Sequence, residues 1–181
     1  MDSASVEALG AKPLKPEKSV NASGGVTFDP SSRFSVSVDY YDIKINDRIV
    51  FSENFIGPAI QSRLAAIGLQ NVTGARYFTN AIDTRTRGVD VVTNYGIDLR
   101  RDGVVRFTGG YNHTKTKVTD VIPTPPELSG FDEQLFGRAE RGRIEEAQPR
   151  DNFLASANYT RGVWGAVLRT QRFGEVTNRQ L

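Results

Sequence analysis

From Arg33 to Phe51 the sequence reads RFSVSVDYYDIKINDRIVF, an alternation of apolar and polar residues that outruns an ordinary strand. Strands of compact soluble domains average about five or six residues. Phe34, Val36, Val38 and Tyr40 fall on one face and Ser35, Ser37 and Asp39 on the other, the two-residue period of a pleated strand. After Tyr40 the phase changes, and Tyr41, Ile43 and Ile45 carry the apolar positions. Either a bulge sits at the Tyr40-Tyr41 pair or the strand passes there from one environment into another. A membrane barrel wall accommodates such a strand, because its apolar band ends at an aromatic girdle and the strand continues into water. On that reading the tyrosine pair marks the upper girdle, and Asp42 to Phe51 stands above it.

The rest of the chain repeats the pattern. Residues 1–18 form a lead-in, with one helical turn around Ala4 to Leu9 and a Lys-Pro-rich stretch that opposes pairing. The strands occupy residues 19–181. Val20, Ala22, Val26 and Phe28 share one face of a first strand, and Asp29 to Ser32 supplies a polar turn. Over residues 52–74 the period is lost, although Ile60, Leu64 and Ile67 fall on one helical face between Pro58, a good first helical residue, and Gly68, a C-terminal cap. Local packing is the simpler explanation for that helix, and a lid or ligand contact the alternative. Arg76 to Leu99 returns to alternation, with Val89, Val91, Thr93, Tyr95, Ile97 and Leu99 opposite Asp90, Val92, Asn94, Gly96 and Asp98, nearly all small or polar. A turn ending in Asp102-Gly103 leads into Val104 to Val118, whose apolar face carries Val105, Phe107, Gly109 and Tyr111. Residues 119–146, broken by Pro123, Pro125 and Pro126 and rich in charge, read as a mobile, solvated loop. A last hairpin pairs Arg150 to Tyr159 with Val163 to Phe173 and places Phe153, Ala155, Ala157, Trp164, Ala166 and Leu168 on apolar faces.

Short and long connections therefore alternate strictly. If successive strands are antiparallel neighbours, the short turns gather at one end of the sheet and the long loops at the other. Outer-membrane barrels have this asymmetry. The expected fold is all-β, an antiparallel meander of long strands forming part of a large outer-membrane β-barrel. A soluble β-rich binding or structural domain, packed as a sandwich, is the alternative, but such folds spread loop lengths over both ends.

Composition excludes several functions. With 23 basic and 21 acidic residues the net charge is only +2, so no bulk field draws the chain to nucleic acid. No cysteine is present, which removes disulfides, thiolate zinc sites and cysteine nucleophiles. There is no apolar run long enough for a spanning helix and no signal-peptide pattern, so export requires a longer precursor. His113 is the only histidine and lacks partners at ligand spacing, so no metal is expected. Asp39, Asp42 and Asp47 lack the glycine and glutamate of a calcium loop and suit lumen or rim positions. Gly109-Gly110 precedes no helix, and no nucleophile elbow occurs, so neither a cofactor nor enzyme activity is expected. Arg85, Arg87, Arg138, Arg141 and Arg143 are the candidate ligand-binding residues, able to attract an anion if brought together near the rim. Scattered solvated charges are the plainer reading of the same arginines.

Four segments also resemble a known family in the order that family requires. LKPEKS, Leu14 to Ser19, resembles the Leu-x-Pro-Glu-x-Ser motif that precedes a barrel strand in the TonB-dependent outer-membrane receptors. DYYDIKINDRI, Asp39 to Ile49, is similar to the strand that follows it, and NAIDTRTRGVDVV, Asn80 to Val92, to the return strand. QPRDNF, Gln148 to Phe153, and RTQRFGE, Arg169 to Glu175, resemble the next pair. The resemblance implies an active-transport barrel of about 22 strands with a plugged lumen. It implies uptake of a siderophore-, cobalamin- or oligosaccharide-type ligand across the outer membrane of a Gram-negative bacterium. The implied partners are the rest of the barrel and its plug domain, outer-membrane lipid, and the TonB energy-coupling protein through an N-terminal part absent from this sequence. With roughly six or seven strand segments and no plug, the chain is expected to be an internal, late piece of the barrel, with two open edges.

Overall fold

The computed structural model describes residues 6–129 and 135–179. The predicted helical turn therefore starts outside the described residues, as do the loop charges Asp132 and Glu133. Six strands build one sheet: β1 (Lys18–Ser31), β2 (Phe34–Phe51), β5 (Phe78–Asp98), β6 (Val104–Val121), β7 (Asp151–Arg161) and β8 (Trp164–Phe173). They lie in the order β1-β2-β5-β6-β7-β8, each antiparallel to the strand before it. The short β3 (Phe55–Ile56) and β4 (Gly74–Ala75) pair separately within the first long loop. The sheet is an open meander with β1 and β8 at its edges.

Strand length is the first consequence of the alternation. A barrel strand needs about 9–11 residues to cross the hydrocarbon layer. β2 and β6 have 18 residues and β5 has 21, so each continues well past that layer. Links 32–33, 99–103 and 162–163 gather at one end, and links 52–77 and 122–150 at the other, as the connection lengths predict.

The phase change in β2 has a different origin from the bulge considered above. Register runs unbroken through the tyrosines, with Tyr40 opposite Gly24 and Val89, and Tyr41 opposite Ser23 and Gly88. The irregularity falls between Ile45 and Ile49, where Asp47 adopts a left-handed φ of 54°. Aspartate tolerates that conformation when local hydrogen bonds hold it. Here the Asp47 N–H donates to the Asp83 carboxylate at 3.0 Å, and its carbonyl accepts from Asn80 Nδ2 at 2.6 Å. The tyrosine pair thus splits between the faces, and Tyr41 does not belong to an outer girdle.

The long loops also depart from expectation. The second is not a solvated excursion, because it folds with the first loop and the lead-in into a small core. Leu9, Phe55, Ile60, Leu64, Tyr77, Leu128, Leu135 and Phe136 are buried there against Val50, Ala81, Ile82 and Val118 from the tops of β2, β5 and β6. Two short helices serve this cap, α1 (Pro58–Ala66) and α2 (Arg138–Glu145). α1 buries Ile60 and Leu64, starts on Pro58 and ends before Gly68 at φ 88°. The Tyr77 hydroxyl donates to the Leu9 carbonyl at 2.9 Å, and the Glu53 N–H donates to the Leu135 carbonyl at 3.0 Å, tying lead-in and both loops together.

Candidate functional site

Register assigns every side chain of the wall to one of two faces, and the faces differ in chemistry. One carries Val20, Val26 and Phe28 of β1, Phe34 to Tyr40 at alternate positions of β2, and Val89, Val91, Tyr95 and Ile97 of β5. It continues through Val105, Phe107 and Tyr111 of β6, Phe153 and Tyr159 of β7, and Trp164 and Leu168 of β8. Tyr95, Phe107 and Phe153 belong to central strands yet are 50%, 43% and 49% exposed, so their exposure comes from an uncovered face rather than from a sheet edge. A continuous apolar face of this extent requires a covering phase. Aromatic residues bound it: Tyr40, Tyr111 and Phe153 toward the loop end, Phe34, Tyr159 and Trp164 toward the turns. Tyr111 and Phe153 pack with ring centroids 4.7 Å apart, and the Tyr111 hydroxyl donates to Asp151 Oδ1 at 2.7 Å. His113 Nδ1 lies 2.8 Å from the same oxygen. Among the described residues no cluster of three metal-ligating side chains occurs.

The opposite face is a polar ladder. Asn112 Nδ2 donates to Asp90 Oδ1 at 2.6 Å, Asn152 Nδ2 to Asn112 Oδ1 at 3.2 Å, and Thr108 Oγ1 to Asn94 Oδ1 at 2.9 Å. Asp39 stands opposite Asp90 in register. Tyr41 reaches across Gly88 to hydrogen-bond Thr114. A side chain at Gly88 would collide with that phenol and with the His113 carbonyl, so the glycine is what lets the ring lie flat on the wall. At the loop end α2 folds inward over this face: Glu145 Oε1 accepts from the Val118 N–H at 2.8 Å, and α2 lines a crevice with Asn112, Thr114 and Thr116.

The candidate arginines divide into two groups. Arg85 and Arg87 stand on β5, on the apolar side beyond the aromatic row, and both bind the Asp42 carboxylate of β2, Arg85 by a fork at 2.6 and 2.8 Å and Arg87 at 3.0 Å. Arg138, Arg141 and Arg143 lie on α2. Arg143 and Arg76 share the buried Glu140, while Arg141 lies 3.5 Å from Glu145 and donates to the Val118 carbonyl. Sequence spacing did not single out Glu140, which looks like one charge among many in RAERGRIEE until folding buries it. Burial in the cap also pushes the Tyr77 phenol up to about 12, with the Glu127 carboxylate adding to the effect. In the tail, the fork that Arg179 makes with Glu146 raises the guanidinium pKa further.

A cleft of about 510 Å³ opens at the loop end, where Lys12 and Lys15 of the lead-in face Asp47, Asn80 and Pro123.

One lipid-compatible face, one hydrogen-bonded polar face, short turns at one end and folded loops at the other define a β-barrel wall. A sandwich would have buried one of these faces against a second sheet. The family described as TonB dependent receptor-like, beta-barrel matches residues 2–180. The chain belongs to this family of TonB-dependent receptor β-barrels. The membership supports an outer-membrane receptor or transporter role, and in general a partnership of barrel with plug and with TonB. The family is one of transport rather than catalysis. No curated protein matches the chain.

Proposed function

We propose that this chain is a wall segment of an outer-membrane receptor that takes up a scarce nutrient of the siderophore, cobalamin or oligosaccharide type, in a Gram-negative bacterium. The observation that carries this reading is the coincidence of two asymmetries, apolar against polar face and short turns against folded loops. In this arrangement the apolar face meets lipid and the polar ladder meets a plug domain. The cap stands outside the cell, and its cleft and the α2 arginines Arg138, Arg141 and Arg143 contact the incoming ligand. Further strands of the barrel pair with β1 and β8, since an open edge leaves backbone groups unsatisfied in lipid. Coupling to TonB passes through the plug.

The cysteine-free sequence permits a direct test. Single cysteines at Ser129 in the second loop and at Gly162 in a short turn are introduced into the protein as its host makes it. On intact cells a membrane-impermeant maleimide should label position 129 and leave position 162 unlabelled until the outer membrane is opened. Equal labelling of both, or recovery of the protein in the soluble fraction, would overturn the proposal.

A further inference from the structure

The outer side of the wall changes character abruptly beyond the girdle. In register, Lys44 of β2 stands beside Arg85 of β5, and Arg85 beside Lys117 of β6. One row nearer the girdle, Asp42 stands beside Arg87, and Arg87 beside Lys115. The next row holds Tyr40, Val89 and His113, where the apolar band begins. Two rows of three strands thus bring together five cations, Lys44, Arg85, Arg87, Lys115 and Lys117, around the single carboxylate of Asp42. All five are exposed. Arg85 and Arg87 share Asp42, whereas among the described residues none of the three lysine side chains has an ion-pair or hydrogen-bond partner.

This cluster has a defined height as well as a charge. Beyond it Asp83 and Asp120 face each other, so the basic belt is bounded by acid above and by aromatic rings below. Rows two residues apart on a strand are separated by about 7 Å, and strands by about 4.8 Å, so the patch is about 7 Å deep and about 10 Å wide. The cap leaves it uncovered because α2 folds over the opposite, polar face. A layer of fixed positive charge directly outside an aromatic girdle lies where lipid headgroups lie.

We propose that Lys44, Arg85, Arg87, Lys115 and Lys117 form a binding site for phosphate-bearing lipid headgroups of the surrounding leaflet. Arg85 and Arg87 are held in place by Asp42, and the lysines supply mobile donors to phosphate oxygens as point charges. The proposal rests on the barrel reading given above, because only that reading puts the belt at the membrane surface. The bound lipid would fix the tilt of the β2–β5–β6 strands at the level where they leave the bilayer.

The full chain in dodecyl maltoside micelles is titrated with phosphatidylglycerol, with phosphatidylcholine and with inorganic phosphate, and retained lipid is read by native mass spectrometry. The wild-type chain should retain phosphatidylglycerol over phosphatidylcholine. The triple variant K44Q/K115Q/K117Q should lose that preference at least about tenfold, and K44R/K115R/K117R should keep it. Equal retention of both lipids by the wild type, an unchanged preference in the glutamine variant, or competition by millimolar inorganic phosphate would each overturn the lipid site. If neither lipid is retained and the chain stays monomeric without detergent, the barrel reading itself fails, which the other outcomes leave standing.

Discussion

The wall and the cap are built from one chain by opposite rules. The wall has six long strands and no interior of its own, and its Trp164 and Leu168 stay 79% and 75% exposed. The cap has short helices and one two-residue strand pair joined by irregular chain, yet it carries every fully buried large apolar side chain among the described residues except Ile82, at its boundary with the wall. Hydrogen-bonded strands bring their order with them and leave burial to lipid and to neighbouring protein. Irregular loops lack that ladder and hold together only by hiding apolar surface from water.

The largest effect should come from removing the wall's solvent. Without detergent the full chain should aggregate, whereas in micelles it should sediment as a monodisperse species. A cooperative, monomeric melt in plain buffer would break the contrast. Next comes Phe55→Ala, which removes a fully buried ring that packs 5.9 Å from Tyr77. It should cost the cap about 3–5 kcal/mol. Protease cleavage in residues 122–150 should rise, while the strand signal in circular dichroism stays unchanged. Gly88→Ala is the converse experiment. By crowding Tyr41 and the His113 carbonyl it should cost the wall about 1–3 kcal/mol, with hydrogen exchange faster along β5 and β6 and the cap's protection retained. The smallest effect concerns pH. The Tyr77 phenol ionises near 12 in the folded cap and near its ordinary value of 10 when unfolded, so folding favours the neutral form. Its contribution is therefore complete below about pH 10 and lost as the pH rises toward 12. Cap melting should show that drop in the wild type and not in Tyr77→Phe, whereas a drop in both would assign it to another group.

The same contrast explains what could be read from the sequence. The wall was legible because a period of two, repeated in β2, β5 and β6, reports burial residue by residue, and because link lengths report topology. Of the cap only the α1 helix was, since Leu9, Phe55, Leu64 and Leu135 come from three separate stretches with no shared period, and only their meeting makes them a core. Tyr41 misled because an apolar phase shift reads the same whether a strand bulges or its inner face turns aromatic. The left-handed Asp47 left no trace beyond an aspartate in a polar run. Of the basic belt, Arg85 and Arg87 were visible as candidates, but Lys44, Lys115 and Lys117 join them only through inter-strand register, which single-strand patterns do not contain.

The even number of strands in the meander carries one more consequence. β1 descends from the loop end and β8 returns to it, so entry and exit lie on the same side of the sheet. Such a unit behaves as a cassette: copied into or lost from a longer barrel, it leaves the direction of every later strand unchanged. Heredity can therefore vary the girth of such a barrel by hairpins without turning its far side inside out.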